Sequence, residues 1–248
     1  MPALTQQRGR STLPDQMQTT PLWFFDLDNT LHNASHAIFP MINANMNAFL
    51  ARILGDGVTP ADAVTVNAAR VAYWKRYGAT LLGMVKHHAV HEEDFLREAH
   101  RFDDLISLIR AECGLARLLK RLPGRKILLT NAPRRYSRDV VRHLGLHRHF
   151  AKHIAIESMR VHGKLRPKPS RQLLRKLIAK EHMPARRCIL VEDTADNLKA
   201  AKTLGLRTVW VTQYLAAQSI SQPTKRPAWV DVKVKSVRQL VDHLHRLR

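Results

Sequence analysis

The sequence is short of acid and of cysteine, and it lacks any long apolar run. Against 41 lysines and arginines stand only 20 aspartates and glutamates, which leaves a net charge of +21. Such a balance suits anionic partners, because a positive field speeds the arrival of anions. The cations are spread along the chain, however, and no zinc-finger, basic-zipper or RNA-binding aromatic signature accompanies them. Nucleic acid is therefore not expected as the main ligand; a small phosphorylated metabolite is. The two cysteines, Cys113 and Cys188, lie far apart in apolar settings. That excludes a disulfide scaffold and predicts buried thiols in a reducing compartment. No apolar stretch reaches the roughly 18 residues that a transmembrane helix needs, so no membrane is expected as a partner. Residues 1–20 carry Arg8 and Arg10 with no apolar run behind them, and they show no amphipathic stripe. They read as a flexible tail, neither a secretory signal nor a transit peptide. A cytoplasmic location is the expectation.

What is present is an alternation. Pro21 to Phe25 is a short bounded apolar run ending in Asp26, which predicts a buried strand. Further buried strands are predicted over 126–130, near 153–156, over 188–191 and 208–211, with a last short one over 229–232. Helices are predicted over 115–122, 137–144, 170–181 and 195–204, with Ser170 as an N-cap. Ser236 should cap a final helix, and residues 213–227 read as a polar linker. Strands alternating with helices predict a parallel sheet covered on both faces. The stretch 38–111 breaks the alternation with helical spacing alone. One helix should stop at Gly55-Asp56-Gly57; the next should start with Thr59 as N-cap and run to Tyr77. Gly78 and Gly83 should bracket a loop, and 91–110 should be helical again. The fold expected is α/β: a Rossmann-like core of residues 21–37 and 112–248, with residues 38–111 inserted as a helical cap.

Ligands in such sheets bind beyond the carboxyl ends of the strands. There the sequence places Asp26 and Asp28, then Thr130 and Asn131, then Lys168 in a loop, then Glu192 and Asp193. Carboxylates ending apolar strands are costly to bury without counter-charge. Convergence of Asp26, Asp28 and Asp193 would suit a hard cation, with Mg²⁺ the common choice. Singly, each residue has a plainer reading: Asp28 as a turn cap, Lys168 as a solvated lysine with Lys164 as rival, and Thr130 as a strand residue. The pair His87-His88 lacks further ligands at metal spacing and is expected to face solvent or substrate. Tyr73, Trp74 and Tyr77 are expected to be cap core.

Taken jointly and in order, Asp26-Leu-Asp28-Asn-Thr-Leu31, Thr130-Asn131, Lys168-Pro169-Ser170 and Val191-Glu-Asp193-Thr resemble the four motifs of the haloacid dehalogenase superfamily. Tyr73-Trp-Lys-Arg-Tyr-Gly-Ala-Thr-Leu-Leu-Gly-Met84, Leu122-Pro-Gly-Arg-Lys126 and Thr130-Asn-Ala-Pro133 are similar to its pyrimidine 5′-nucleotidase-like branch, although His32 stands where that branch often has tyrosine. The resemblance implies a Mg²⁺-dependent phosphatase. Asp26 would be the nucleophile and Asp28 the acid and base. Lys168, Thr130 and the Asn131 backbone would bind phosphate. Asp26, the Asp28 carbonyl and Asp193 would hold the metal, with Glu192 and Asn197 supporting it. The substrate implied is a nucleoside 5′-monophosphate. A sugar phosphate, a phosphomutase reaction, or a basic nucleic-acid-binding module on an inactive core are the alternatives.

Overall fold

The computed structural model describes residues 20–215 and 225–247. Apart from Thr20, the expected tail lies outside these residues, as does the middle of the expected linker. Six strands, β1 (Leu22–Phe25), β2 (Arg125–Leu129), β3 (Lys152–Ile154), β6 (Cys188–Glu192), β7 (Arg207–Val211) and β8 (Val232–Val234), form one sheet. Between β3 and β6 in the chain, β4 (Arg160–Val161) and β5 (Lys164–Leu165) make a separate antiparallel hairpin. The order in the large sheet is β3-β2-β1-β6-β7-β8, and every pairing in it is parallel. The chain order therefore reverses at β1, which leaves a crevice between the ends of β1 and β6.

The apolar runs become strands because both faces are covered. Leu22 and Phe24 face one core, shared with Leu173, Leu174 and Leu198; Trp23 and Phe25 face the other, shared with Leu118, Leu119, Val140 and Leu240. The first face carries α8 (Arg171–Lys180) and α9 (Ala195–Lys202). The second carries α6 (Leu115–Arg121), α7 (Arg134–His143) and a 3-10 helix over Val237–Arg246. Ser170 caps α8 by accepting from the Leu173 N–H. The α/β architecture with an inserted helical cap is thus the one expected. Among the described residues no helix is long and apolar enough to cross a membrane.

Between β1 and β2 lie α1 (Ile38–Leu54), α2 (Ala63–Tyr77), α3 (Thr80–His87), α4 (Glu92–Ala99) and α5 (Leu105–Leu108). Several expectations need correction here. Asp62, not Thr59, caps α2 by accepting from the Thr65 N–H. The Thr59 N–H is instead held by the Asp56 side chain at 2.6 Å, within the turn after α1. Gly83 is no loop residue: it sits inside α3, where a Cβ would lie 2.1 Å from Cγ of Tyr73. The glycine lets α2 and α3 touch. The helix expected over 91–110 is broken after Ala99, because Asp104 starts a new cap on the Ser107 N–H. Trp74 is 58 % exposed, so it is not cap core. Tyr73 and Tyr77 are half-buried and bond His88 and His87, at 2.5 and 2.6 Å. Elsewhere α7 starts three residues early, the last strand lies at 232–234, and the final helix is 3-10. Its Ser236 cap is present as a full capping box with Gln239. Cys188 is buried, its thiol pushed up to about 12 by burial and then by Glu181, but Cys113 is exposed.

Substituting Gly83→Ala should force Tyr73 and α2 to move. Overpacking of this kind costs about 1–3 kcal/mol, and helix propensity returns at most about 1. A net loss of about 1–2 kcal/mol in denaturant unfolding is expected; a stabilised variant would show that the two helices do not meet at this glycine.

Candidate active site

Strand register gathers the polar residues. Phe25 pairs with Leu128 on one side and Val191 on the other. The residues that follow, Asp26, Thr130, Glu192 and Asp193, therefore emerge together at the crevice. The Asp26 N–H continues the ladder by donating to the Val191 carbonyl at 3.0 Å. The indole of Trp210 on β7 donates to the Asp193 carbonyl at 2.8 Å and so fixes the turn after β6.

Lys168 arrives from the loop between β5 and α8. Its ammonium donates to Asp26 Oδ1 and to Glu192 Oε2, both at 2.6 Å. Its backbone is held at both polar atoms by one side chain: Asn131 Nδ2 donates to the Lys168 carbonyl at 3.0 Å, and the Lys168 N–H donates to Asn131 Oδ1 at 2.9 Å. Lys164 lies in the exposed β5 hairpin and takes no part. The second oxygen of Asp26 accepts from the Thr30 hydroxyl at 3.0 Å. The Thr130 hydroxyl accepts from the Ala132 N–H, at the head of the turn that leads into α7.

Asp26, Glu192 and Asp193 offer oxygens that all lie within 4.8 Å of one another, and all three residues are buried. Of the expected acids, Asp26 and Asp193 come together, with Glu192 as the third carboxylate; from Asp28 it is the backbone carbonyl that is expected at the metal. The Asp28 carboxylate has partners of its own. It accepts from the Tyr136 hydroxyl at 2.6 Å and meets His32 Nε2 at 2.8 Å. Asn197 is buried on α9 but makes no hydrogen bond to Asp193 among the described residues. Thr30, Tyr136 and His100 were not picked out by sequence reasoning. Tyr136 enters because α7 begins at Arg134, so its first turn faces Asp28, 108 residues away in the chain.

The electrostatics follow from counting charges in a dry space. Three buried carboxylates face one ammonium. Burial and then Glu192 raise the pKa of Asp26 to about 7, with Lys168 opposing. Asp193 is raised well above the usual carboxylate range by burial, then by Glu192 and Asp26. Burial works against the charge of Lys168, but Asp26 and Glu192 outweigh it and raise its pKa. Asp28 goes the other way: burial would raise it, but the contacts with His32 and Tyr136 lower it. The excess of negative charge and an all-oxygen donor set are what a hard divalent cation requires, so the residues present fit Mg²⁺.

A buried lysine between carboxylates at the reversal point of a parallel sheet defines a class of enzyme site, one that handles anions beside a cation. Residues 22–205 match the haloacid dehalogenase-like hydrolase family, and the chain belongs to that family. Among solved structures it is similar to CbbY from Rhodobacter sphaeroides in complex with phosphate, with 20 % identity, a TM-score of 0.61, and 90 % of this chain and 96 % of that one covered. It is also similar to a HAD phosphatase from Thermococcus onnurineus, with 15 % identity, a TM-score of 0.60, and 90 % and 97 % covered. The L-2-haloacid dehalogenase from Xanthobacter autotrophicus with chloropropionic acid covalently bound matches at 16 % identity and a TM-score of 0.52, covering 91 % and 98 %. Likeness at these identities shows the fold alone, and it does not single out one branch of the family.

Added Mg²⁺ should bind the folded chain and not the unfolded one. At 100 times its Kd that stabilises by about 2.7 kcal/mol, which raises the melting midpoint by about 5 °C or more. Asp193→Asn should lose most of this rise. A midpoint indifferent to saturating Mg²⁺, or an equal rise in the variant, would remove the metal site.

Proposed function

We propose that the chain hydrolyses a small phosphate monoester through an aspartyl-phosphate on Asp26, and that its substrate is a nucleoside 5′-monophosphate, a pyrimidine one in the first instance. The observation that carries the chemistry is the buried Asp26 carboxylate, gripped on one oxygen by Lys168 and on the other by Thr30. Both contacts hold it at the strand end from which a phosphorus atom would be approached.

Two like unit charges at 4 Å repel by roughly 4 kcal/mol at an effective dielectric of 20. A carboxylate attacking a phosphate dianion therefore needs positive charge around it. Asp26, the Asp28 carbonyl and Asp193 would hold Mg²⁺, which would supply charge neutralisation there. The ammonium of Lys168 adds a fixed positive charge at 2.6 Å from the nucleophile. The Thr130 hydroxyl and the Asn131 N–H stand at the end of β2, where they would receive the other phosphate oxygens. Asp26 attacks phosphorus and the ester oxygen leaves. Asp28, two residues on, delivers a proton to that oxygen and later takes one from the water that cleaves the acyl phosphate. His32 Nε2, at 2.8 Å, holds one oxygen of Asp28. Tyr136 keeps the carboxylate aimed.

The substrate reading is supported by a cleft of about 470 Å³ between the cap and α7, lined by Phe102 and Tyr136, by Arg97, Arg101 and Arg135, and by the acids Glu93, Asp139 and Glu157. It adjoins Asp28 through Tyr136, and its size is that of a small-ligand site. The aromatic faces suit a base, and the mixed acids and arginines suit the hydroxyl groups of a ribose.

Asp26→Asn should lower phosphate release from p-nitrophenyl phosphate by roughly 10³-fold or more, with the fold intact by circular dichroism. EDTA should stop the wild type and Mg²⁺ restore it. Near-normal release from the variant, or full activity after chelation, would refute the mechanism.

For the substrate, a panel of nucleotide and sugar monophosphates should show the best kcat/KM for a nucleotide. Phe102→Ala should raise KM for that nucleotide by about tenfold while sparing p-nitrophenyl phosphate. A sugar phosphate ranking first would overturn the substrate and leave the chemistry standing.

A further inference from the structure

The positive charge is not shared evenly between the two parts of the fold. Residues 38–111 hold eight lysines and arginines and eight aspartates and glutamates, so that stretch is neutral. The excess resides almost wholly in the sheet and its covering helices. Residues 112–150 carry a large part of it, with ten lysines and arginines against two acids, Glu112 and Asp139. Both of those acids have partners within the fold, Ser236 and Arg138.

Folding turns this chain segment into one ridge. α6 packs on the 3-10 turn His147–His149, and the same turn packs on α7. Arg117, Lys120 and Arg121 on α6, Arg142 at the end of α7, and Arg148 on the turn are all exposed. Among the described residues none of these five has an ion-pair partner. Positive charge also gathers around His149, whose pKa is lowered by burial and then by Lys126, His147 and Lys120. Unpaired cations held this close repel one another, which is a cost the fold carries unless an anion answers it.

The position matters as much as the charge. Arg121 precedes β2, Lys126 is near its start, and His147–His149 precede β3. Much of the ridge therefore lies toward the amino ends of the strands, whereas Asp26, Thr130 and Asp193 stand at the carboxyl ends. It is not the electrostatic approach to the active site. Nor does it offer an apolar wedge for a bilayer: among the described residues the exposed large apolar side chains are Met41, Val58, Val64, Val71, Trp74 and Ile106, all within 38–111. With no exposed aromatic ring it lacks the stacking platform that single strands use. An extended row of cations without apolar or aromatic groups fits repeated phosphates on a regular backbone.

We propose that the α6 ridge, with Arg117, Lys120, Arg121, Arg142 and Arg148, docks the phosphate backbone of a nucleic-acid duplex without regard to sequence, and leaves the catalytic crevice open.

The test is fluorescence anisotropy of a labelled 20-base-pair DNA duplex with the full chain across a salt series, beside two triple variants of equal design. Wild type should bind with an affinity that falls steeply with salt. Replacing Lys120, Arg121 and Arg148 together by alanine should weaken binding by roughly tenfold or more at low salt and reduce the slope of log K against log salt by about 2–3. Removing the same charge elsewhere, with Arg175, Lys180 and Arg186 replaced by alanine, should change affinity less than threefold. Both triple variants should release phosphate from p-nitrophenyl phosphate as the wild type does. No salt-dependent binding by the wild type would overturn the proposal. So would equal losses in the two triple variants, which would mark a diffuse charge effect. Binding to anionic phosphatidylserine vesicles but not to the duplex would assign the ridge to a lipid surface and overturn it as well.

Discussion

A single ammonium group, that of Lys168, sits 2.6 Å from a carboxylate oxygen of Asp26 and 2.6 Å from one of Glu192, with all three side chains withdrawn from water. Removing one member of such a group would leave an uncompensated charge in a dry space, which is strongly unfavourable. The rest of the site can be read as the means of keeping this contact in place. Asn131 holds the lysine's own peptide groups at both ends. Thr30 occupies the other oxygen of Asp26. Because the carboxylates outnumber the ammonium, the arrangement remains short of positive charge, and that shortage is what invites a divalent cation and a phosphate together.

The sheet makes the contact possible. Its strand order reverses at β1, so the helical crossovers leave β1 and β6 on opposite sides and open the crevice that the acids line. Equal register across β2, β1 and β6 then brings side chains from three separate regions to one level. The cap contributes His100, 5.4 Å from the Tyr136 ring between ring centres, and most of the cleft beside Asp28. Catalytic charge belongs to the core, and the shape of the leaving-group space is shared with the cap.

Much of this was legible in the chain. Apolar runs ending in Asp26, Thr130 and Glu192 announced strands because a strand buried on both faces needs apolar residues throughout, and polar ones can start only where it ends. The hidden parts share a cause. Whether Lys168 or Lys164 reaches Asp26, which way Asp28 turns, and that Asn131 grips a loop rather than standing idle all depend on contacts between residues 37 to 142 positions apart. Local errors have local reasons: Asp56 and Asp62 competed with Thr59 for the free N–H groups before α2, and a side chain's choice among them is settled by the turn's geometry. Gly83 looked like a turn residue because glycine usually is one; its role as a contact point needed the neighbouring helix.

Composition, periodicity and the ordered acidic segments by themselves determined an alternating α/β chain with an inserted helical stretch, a family, and a short roster of polar residues at strand ends. Those features are written in nearest-neighbour chemistry: what can be buried, what caps a helix, what ends a strand. Tertiary structure alone decided that Glu192 joins Asp26 and Asp193 while the Asp28 carboxylate is held by Tyr136 and His32. It also decided that α6 and the turn at His147–His149 pack together, which brings Arg148 to the side of α6. Electrostatic energy depends on distance in space, and distance in space between remote residues exists only once the sheet has closed its register.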